Sequence, residues 1–300
     1  MSAPQTLRDL LARPEIIRSF GAHDVFSALI MERAGVPMLF LGGFGVSASL
    51  LGLPDVGLTT LTEMTDAVRR TTQRVKNPIV ADGDTGHGGL QNVARTVSEF
   101  ERAGAAGILI EDQVFPKRCG HLSGKQVVPV EVMLDRLQAA LDARQDENFV
   151  VFARTDARAV EGIEAAIDRA NRYADAGADV CFVEAPQSRD ELQRIARDVE
   201  CPLLANMLLG GVTPILSAEE LEDLGYKIVV CPIASLLTTG FAIQKIAHAL
   251  LSQGRLDQLS SEMLSFAEIT AALDLEEFTG AEPAASRPGA DSPPADDPSG

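Results

Sequence analysis

Positive charge is scarce in this chain. Lysine and arginine total 26 against 43 aspartates and glutamates, a formal net charge of −17. A broad nucleic-acid surface is excluded, because phosphate binding needs cationic groups to replace counterions. A small anionic substrate is not excluded, since a local site can oppose the overall field. Cysteine is scarce as well. Cys119, Cys181, Cys201 and Cys231 are widely spaced and form no C-x-x-C pair. That excludes a disulfide framework and a zinc-finger pattern, and it fits a reducing cytosol. Three of the four sit among apolar residues and read as small core residues; Cys119 does not. Long hydrophobic runs are also missing. The stretch Pro37 to Leu41, with its glycine-rich extension, is too short to span a bilayer. The first residues, M-S-A-P-Q-T-L-R-D-L-L-A-R, carry no apolar core followed by a cleavage site. Together these absences predict a cytoplasmic protein with neither membrane nor nucleic acid as partner.

What is present points to an enclosed α/β core. The composition, 46% hydrophobic and 23% charged, is that of a globular protein, and 300 residues suffice for one large barrel. Eight short apolar runs read as strands: Ile16 to Phe20, Met38 to Leu41, Pro78 to Ala81, Gly107 to Ile110, Phe149 to Ala153, Asp179 to Val183, Pro202 to Ala205 and Ile228 to Cys231. They are continuously hydrophobic, as parallel strands covered on both faces should be. Helical patterns lie between them, at Asp24 to Ala34, Leu61 to Val75, Asn92 to Ala103, Val130 to Arg144, Gly162 to Ala176, Ser188 to Asp198 and Ala218 to Leu224. Several close on a glycine (Gly35, Gly104, Gly177 and Gly225) suited to the left-handed conformation that ends a helix. Ser217 before Ala218-Glu219-Glu220 reads as an N-cap. The expected fold is a (β/α)8 TIM-type barrel over residues 1–254, with a doubly wound open sheet as the alternative. After the eighth strand come a helix from Ser235 to Gln253 and an amphipathic stretch from Leu256 to Leu275. Residues 255–279 are expected to be a helical extension; neither it nor the preceding helix is needed to close a barrel, and extra helices of this kind often pack on a neighbouring subunit. Residues 280–300, rich in Ala, Pro, Ser, Gly and Asp, are expected to be a disordered tail.

A parallel barrel does its chemistry at the C-terminal ends of its strands. There the sequence places Asp82 and Asp84 after strand three, Glu111 after strand four, Arg154 after strand five, Glu184 after strand six and Asn206 after strand seven. Residues two apart in an extended segment share a face, so Asp82 and Asp84 can point at one hard divalent cation such as Mg²⁺. Glu111 and Asp55 can add direct or water-mediated contacts. Taken alone, an Asp-x-Asp pair is equally at home in a helix cap or a turn. The run Lys117-Arg118-Cys119-Gly120-His121 lies on a long loop from Gln113 to Val128, of a length typical of active-site lids. Cationic neighbours would lower the Cys119 pKa and make it a reactive thiolate or a proton donor. A Lys-Arg pair is otherwise ordinary solvated surface.

These residues resemble the isocitrate lyase / phosphoenolpyruvate mutase superfamily. The resemblance rests on the Glu111-to-His121 segment with its cysteine loop. It also rests on L-G-L-P-D (Leu51 to Asp55), D-G-D-T-G (Asp82 to Gly86), A-R-T-D-A (Ala153 to Ala157), F-V-E-A-P (Phe182 to Pro186) and A-N-M (Ala205 to Met207). It runs from about Leu7 to Phe278. Within the superfamily the chain is similar to the group of 2,3-dimethylmalate lyase, petal death protein and carboxyvinyl-carboxyphosphonate phosphorylmutase.

The resemblance implies a homotetramer and a metal site of Asp82, Asp84, Asp55 and Glu111 for Mg²⁺, with Mn²⁺ as an alternative. It implies Cys119 as the acid, His121 supporting its loop, and Arg154 gripping a substrate carboxylate in bidentate fashion. Gly42, Gly43, Phe44, Gly120, Glu184 and Asn206 would contact the substrate. The implied reaction is retro-aldol C–C cleavage of a 2-hydroxydicarboxylate of the substituted-malate type through an enediolate. The alternatives are a P–C bond-forming mutase and an oxaloacetate hydrolase or decarboxylase. A non-catalytic barrel is disfavoured by the intact set of polar residues. Two arginines that methylisocitrate lyases use for a third carboxylate correspond to Leu237 and Phe266 here, so a small anionic dicarboxylate is the expected substrate.

Overall fold

The computed structural model describes residues 1–280, so the tail expected at 280–300 lies outside the described residues apart from Gly280. Eight parallel strands form one sheet: β1 (Ile17–Ala22), β2 (Met38–Leu41), β3 (Ile79–Asp82), β4 (Gly107–Glu111), β5 (Val150–Thr155), β6 (Val180–Val183), β7 (Leu204–Asn206) and β8 (Ile228–Cys231). Their spatial order is β6-β5-β4-β3-β2-β1-β8-β7. The first strand pairs with the last, and a Cys181–Leu203 bridge joins the two ends of the order. The result is a nearly closed (β/α)8 barrel rather than the open doubly wound sheet. Each expected strand is present, with bounds moved by a residue or two.

Alternation along the strands separates two apolar layers. Met38, Phe40, Val80, Leu109, Val150, Phe152, Val180, Phe182, Leu204, Ile228 and Val230 meet inside the barrel. Leu39, Leu41, Ile79, Ala81, Ile108, Ile110, Val151 and Ala153 face the other way and pack with residues of the surrounding helices. Those helices are α2 (Val25–Arg33), α4 (Leu61–Thr72), α5 (Leu90–Arg102), α6 (Val130–Ala143), α8 (Ile163–Asp175), α9 (Arg189–Asp198) and α10 (Ala218–Leu224). The four closing glycines all take positive φ, from 84° at Gly35 to 104° at Gly225. Ser217 caps α10 in a reciprocal box with Glu220.

Three short elements escaped the sequence pattern. Helix α1 (Ala3–Ala12) buries Leu7 and Leu10 against the barrel's interior cluster. Its Arg8 bonds the carbonyls of Asn148 and Phe149 and the Asp179 carboxylate, just before β5 and β6. It therefore plugs the floor of the barrel. Helices α3 (Gly43–Val46), continued by a π-turn at Ser47–Leu51, and α7 (Ala157–Val160) follow β2 and β5 directly.

The chain divides into two compact units, Met1–Gln244 and one beginning at Lys245. The division falls inside α11 (Ala234–Gln253), ahead of the boundary expected at residue 254. In the second unit the expected amphipathic stretch Leu256 to Leu275 is not one helix. It forms a 3-10 turn (Asp257–Glu262), α12 (Phe266–Ala272) and α13 (Leu275–Thr279). Ser265 starts a new capping box with Glu268, and Asp274 takes a left-handed conformation, so the helix breaks twice. Of the three cysteines read as core, Cys181 is fully buried, while Cys201 and Cys231 pack at the edge of the core and keep some exposure. Among the described residues no helix is long and apolar enough to cross a membrane.

Candidate active site

The interior layer of the barrel turns polar at one end, and the strand period explains how. Gly42 follows the interior residue Phe40 by two positions. Asp82 likewise follows Val80, Glu111 follows Leu109, Arg154 follows Phe152, Glu184 follows Phe182 and Asn206 follows Leu204. Residues two apart share a strand face, so all six point toward the barrel axis at the C-terminal mouth. The mouth opens into one cavity lined by Gly42, Gly43, Phe44, Asp55, Asp82, Cys119, Gly120, His121, Arg154, Glu184 and Asn206. Of the expected site residues, only Asp84 and Glu111 are not part of that lining.

The acids gather around Gly43. A Cβ at that position would meet Asp55 Oδ1, Asp82 Oδ2 and Lys117 Nζ at 3.2–3.3 Å. The Gly43 N–H donates to Asp82 Oδ2 (3.0 Å), and the Asp84 N–H donates to Asp82 Oδ1 (3.1 Å). The pair does not arise by extended alternation as expected, because Asp84 takes φ 48° and the chain turns there. Lys117 is not solvated surface either. Its side chain is buried, with Nζ 2.5 Å from Asp55 and 2.8 Å from Asp84. Burial alone would depress its pKa, but Asp84, Asp82, Asp55 and Glu111 overcome this and hold the ammonium well above its ordinary range.

One ammonium does not satisfy these acids. Asp84 Oδ1 lies near Lys117 without a hydrogen-bonding angle, and Glu111 Oε1 is buried with no partner. Burial pushes the Asp84 carboxyl up to about 7, with Lys117 opposing and Asp82 and Asp55 adding to the rise. Burial likewise lifts Glu111 well above the carboxylate range, against the pull of Arg154. Among the described residues no three His, Cys, Asp or Glu side chains stand in ready metal-ligand geometry. The donor set is nevertheless all carboxylate oxygen, buried and short of positive charge. It fits a hard cation that takes one or two carboxylates and completes its shell with water.

The cysteine loop closes onto the opposite side of the mouth. A Cβ on Gly120 would stand 2.5 Å from Arg154 Nη2 and nearer still to Glu184 Oε2, so only glycine allows this approach. His121 Nδ1 accepts the Val212 N–H (3.2 Å), which leaves the proton on Nε2, 3.3 Å from Glu184 Oε1. The nearby Asn206 Nδ2 is also a donor and is directed to Glu184 Oε1 (3.5 Å), while Asn206 Oδ1 is buried without a partner. Burial alone would raise the Glu184 pKa; Arg154 and His121 outweigh it and keep the carboxylate ionised.

Cys119 corrects one expectation. Burial pushes its thiol up, despite a backbone hydrogen bond from His121 and the charge of Arg154. Its cationic sequence neighbours face elsewhere, Lys117 into the acids and Arg118 toward Ser123. The thiol is therefore a protonated donor, not a standing thiolate.

Arg154 carries the other surprise. Its Nε and Nη2 form a two-point pair with Asp156 (2.9 and 3.1 Å), and it also approaches Glu111 (3.4 Å) and Glu184 (3.3 Å). The bidentate edge expected for substrate is thus taken by Asp156. Asp156, Lys125, Asp112, Arg136 and Arg169 form the buried support that sequence reasoning missed. Asp112 faces away from Glu111, as alternation requires. It accepts from the Asp156 N–H, Thr155 and Tyr173. Arg136 caps the carbonyls of Glu111 and Gln113. The one available signal was the Arg-x-Asp spacing at the end of β5.

Residues 7–251 match the family model described as phosphoenolpyruvate phosphomutase. The chain is 40% identical to 2,3-dimethylmalate lyase of Eubacterium barkeri over 93% of this chain and 96% of that one. It is 48% identical to a probable 2-methylisocitrate lyase 2 of Corynebacterium glutamicum over 77% and 75%. A crystal structure of 2,3-dimethylmalate lyase superposes with a TM-score of 0.87 at 36% identity, covering 93% of this chain and 94% of that chain. Phosphonopyruvate hydrolase, solved in complex with oxalate and Mg²⁺, superposes with a TM-score of 0.84 at 27% identity, covering 93% and 98%. With fold, cavity and cysteine loop all in place, the chain belongs to the phosphoenolpyruvate mutase / isocitrate lyase superfamily of enzymes.

Proposed function

We propose that the protein is a divalent-cation-dependent carbon–carbon lyase that cleaves a 2-hydroxydicarboxylate of the substituted-malate class by retro-aldol chemistry. The observation that carries this reading is the seating of the Cys119–Gly120–His121 loop against Arg154 and Glu184, facing buried acids short of positive charge. Asp82 and Asp84 would hold Mg²⁺ or Mn²⁺, with Asp55 and Glu111 reaching it directly or through water. Bound there, the ion would polarise the 2-oxygen and its carboxylate and stabilise the developing negative charge.

The chain's own residues do the rest. The charge of Arg154 attracts the far carboxylate, and Glu184 and Asn206 orient the substrate. Gly42, Gly43 and Phe44 lie along it, and Leu204, Leu208, Val230 and Ile233 offer a dry wall to an alkyl substituent. As the hydroxyl loses its proton, the carbonyl forms and the adjacent C–C bond breaks. Its electron pair passes to the departing fragment as an enediolate. Cys119, kept protonated by burial, gives its proton to that carbon. The thiolate recovers a proton from solvent, which balances the hydroxyl proton, and a 2-oxo acid and a saturated carboxylate leave.

Leu237 and Phe266 supply no cation for a third carboxylate, and Leu237 does not line the cavity. A tricarboxylate would keep one anion unpaired in a desolvated site. The protein is further proposed to be a cytoplasmic homotetramer. Leu237 and Phe241 in the first unit, and Phe266 and Phe278 in the second, are exposed apolar residues in want of cover. Mass photometry reading a monomer removes that part.

The test is a substrate panel with Mg²⁺ and with EDTA: alkylmalates, oxaloacetate, methylisocitrate and phosphonopyruvate, with 2-oxo acid release followed. Alkylmalate cleavage that needs the metal is expected. Cys119→Ser should lower kcat by about 10²–10⁴-fold, the range for a lost general acid. Unchanged turnover in that variant refutes the acid role. Methylisocitrate turned over as fast as the alkylmalates refutes the dicarboxylate assignment, and a preference for phosphonopyruvate moves the enzyme to P–C chemistry.

A further inference from the structure

The cysteine loop touches the barrel through an ammonium that no motif marked. Lys125 lies at the base of the loop, and its side chain is almost fully buried (2% exposed) with that of Asp156 (0%). Its Nζ donates to Asp156 Oδ1 at 2.7 Å and to the Gly120 carbonyl. The same Asp156 oxygen accepts from Arg154 Nη2. A single carboxylate oxygen therefore joins a cation of the loop to the cation of β5, and the loop's reactive tip hangs from the first of these.

We propose that Lys125 is the latch of the cysteine loop, a positioning residue that fixes Cys119 in place by tying the Gly120 carbonyl to the Asp156–Arg154 pair. The physical reason is the cost of a buried charge. An ammonium in this position is compensated by one carboxylate and one carbonyl. If the loop opens, the carbonyl leaves and a buried N–H loses its acceptor, which biases the loop shut. Removing the lysine leaves Asp156 still paired with Arg154 on two atoms. The barrel should therefore survive the change.

The experiment reads access to Cys119. The full-length enzyme, Lys125→Met and Lys125→Arg are alkylated with iodoacetamide at fixed pH, and the Cys119 peptide is followed by mass spectrometry. Lys125→Met should react about tenfold faster, the factor one charge-assisted hydrogen bond can set. Lys125→Arg should fall between. Removing a nearby cation disfavours the thiolate and would by itself slow alkylation, so acceleration reports opening. In turnover, Lys125→Met should lose kcat more than it changes KM. A Cys119 rate equal to wild type, with the unfolding midpoint also unchanged, overturns the latch. So does a rate increase at all four cysteines together, which reports global loosening.

The latch rests on the proposed lyase reading only for its turnover arm. A wild-type enzyme inactive on every substrate, with faster Cys119 alkylation in Lys125→Met, sinks that reading and keeps the latch. An active wild type with unaltered alkylation does the reverse.

Discussion

Leu109 and Glu111 stand two residues apart on the same face of β4, and each is 1% exposed. Equal burial has opposite consequences at the two depths. Below the mouth the inward side chains are apolar except Ser19, whose hydroxyl donates to the Met38 carbonyl, and α1 seals the floor with Leu7 and Leu10. Burial there stabilises at roughly 25 cal/mol per Å² of apolar surface. At the level of Glu111, the mouth buries acids, Lys117 and Arg154 in place of that surface. Glu111 keeps one oxygen without a partner. Floor and mouth are built by the same strands, yet one supports the fold and the other is held against its own electrostatic cost.

That comparison can be broken at either end. Leu7→Ala removes a fully buried floor residue and should cost about 2–5 kcal/mol of stability, measured by urea unfolding, with KM unmoved. A change in KM at native-folding conditions would show that floor and mouth are coupled. Gly120→Ala should act in the opposite sense. Its Cβ collides with Glu184 and Arg154, and a displacement near 1 Å costs about 10²-fold in turnover. Because the loop tip can lift away, the unfolding free energy should stay close to wild type. Loss of both activity and stability would mean the tip is part of the core.

The smallest effect concerns pH. The thiol of Cys119 is held above its ordinary pKa by burial, so less thiolate exists at neutral pH than for a free cysteine. Its alkylation rate should keep climbing with pH beyond the point where a free thiol levels off. A plateau at lower pH would return Cys119 to the class of activated thiolates and weaken its role as an acid.

Much of the architecture was legible because it is local. Strand runs, the glycine closures at Gly35, Gly104, Gly177 and Gly225, and the Ser217 cap depend on neighbours a few residues away. The positions of Asp82, Glu111, Arg154, Glu184 and Asn206 were legible for a related reason: once the strand is known, a period of two carries its last residue to the axis. Lys117, Lys125 and Asp156 were not. A Lys-Arg pair on a loop has the composition of solvated surface, and nothing nearby in sequence states that Asp55 and Asp84 await the lysine. Helix α1 was missed because ten residues with two deep leucines have no visible target until a barrel floor exists. The break at Asp274 was missed because an amphipathic period continued through it.

The order of residues alone determined eight alternating units, the polar ends of their strands and the one loop bearing a cysteine between cations and glycine. Each of these follows from backbone preference and from periods of two and 3.6 residues. The three-dimensional fold decided which charges would be buried, which would pair, and that the cysteine keeps its proton. Those outcomes depend on desolvation and on distances between groups far apart along the chain, such as the 62 positions separating Asp55 from Lys117. No local pattern encodes them.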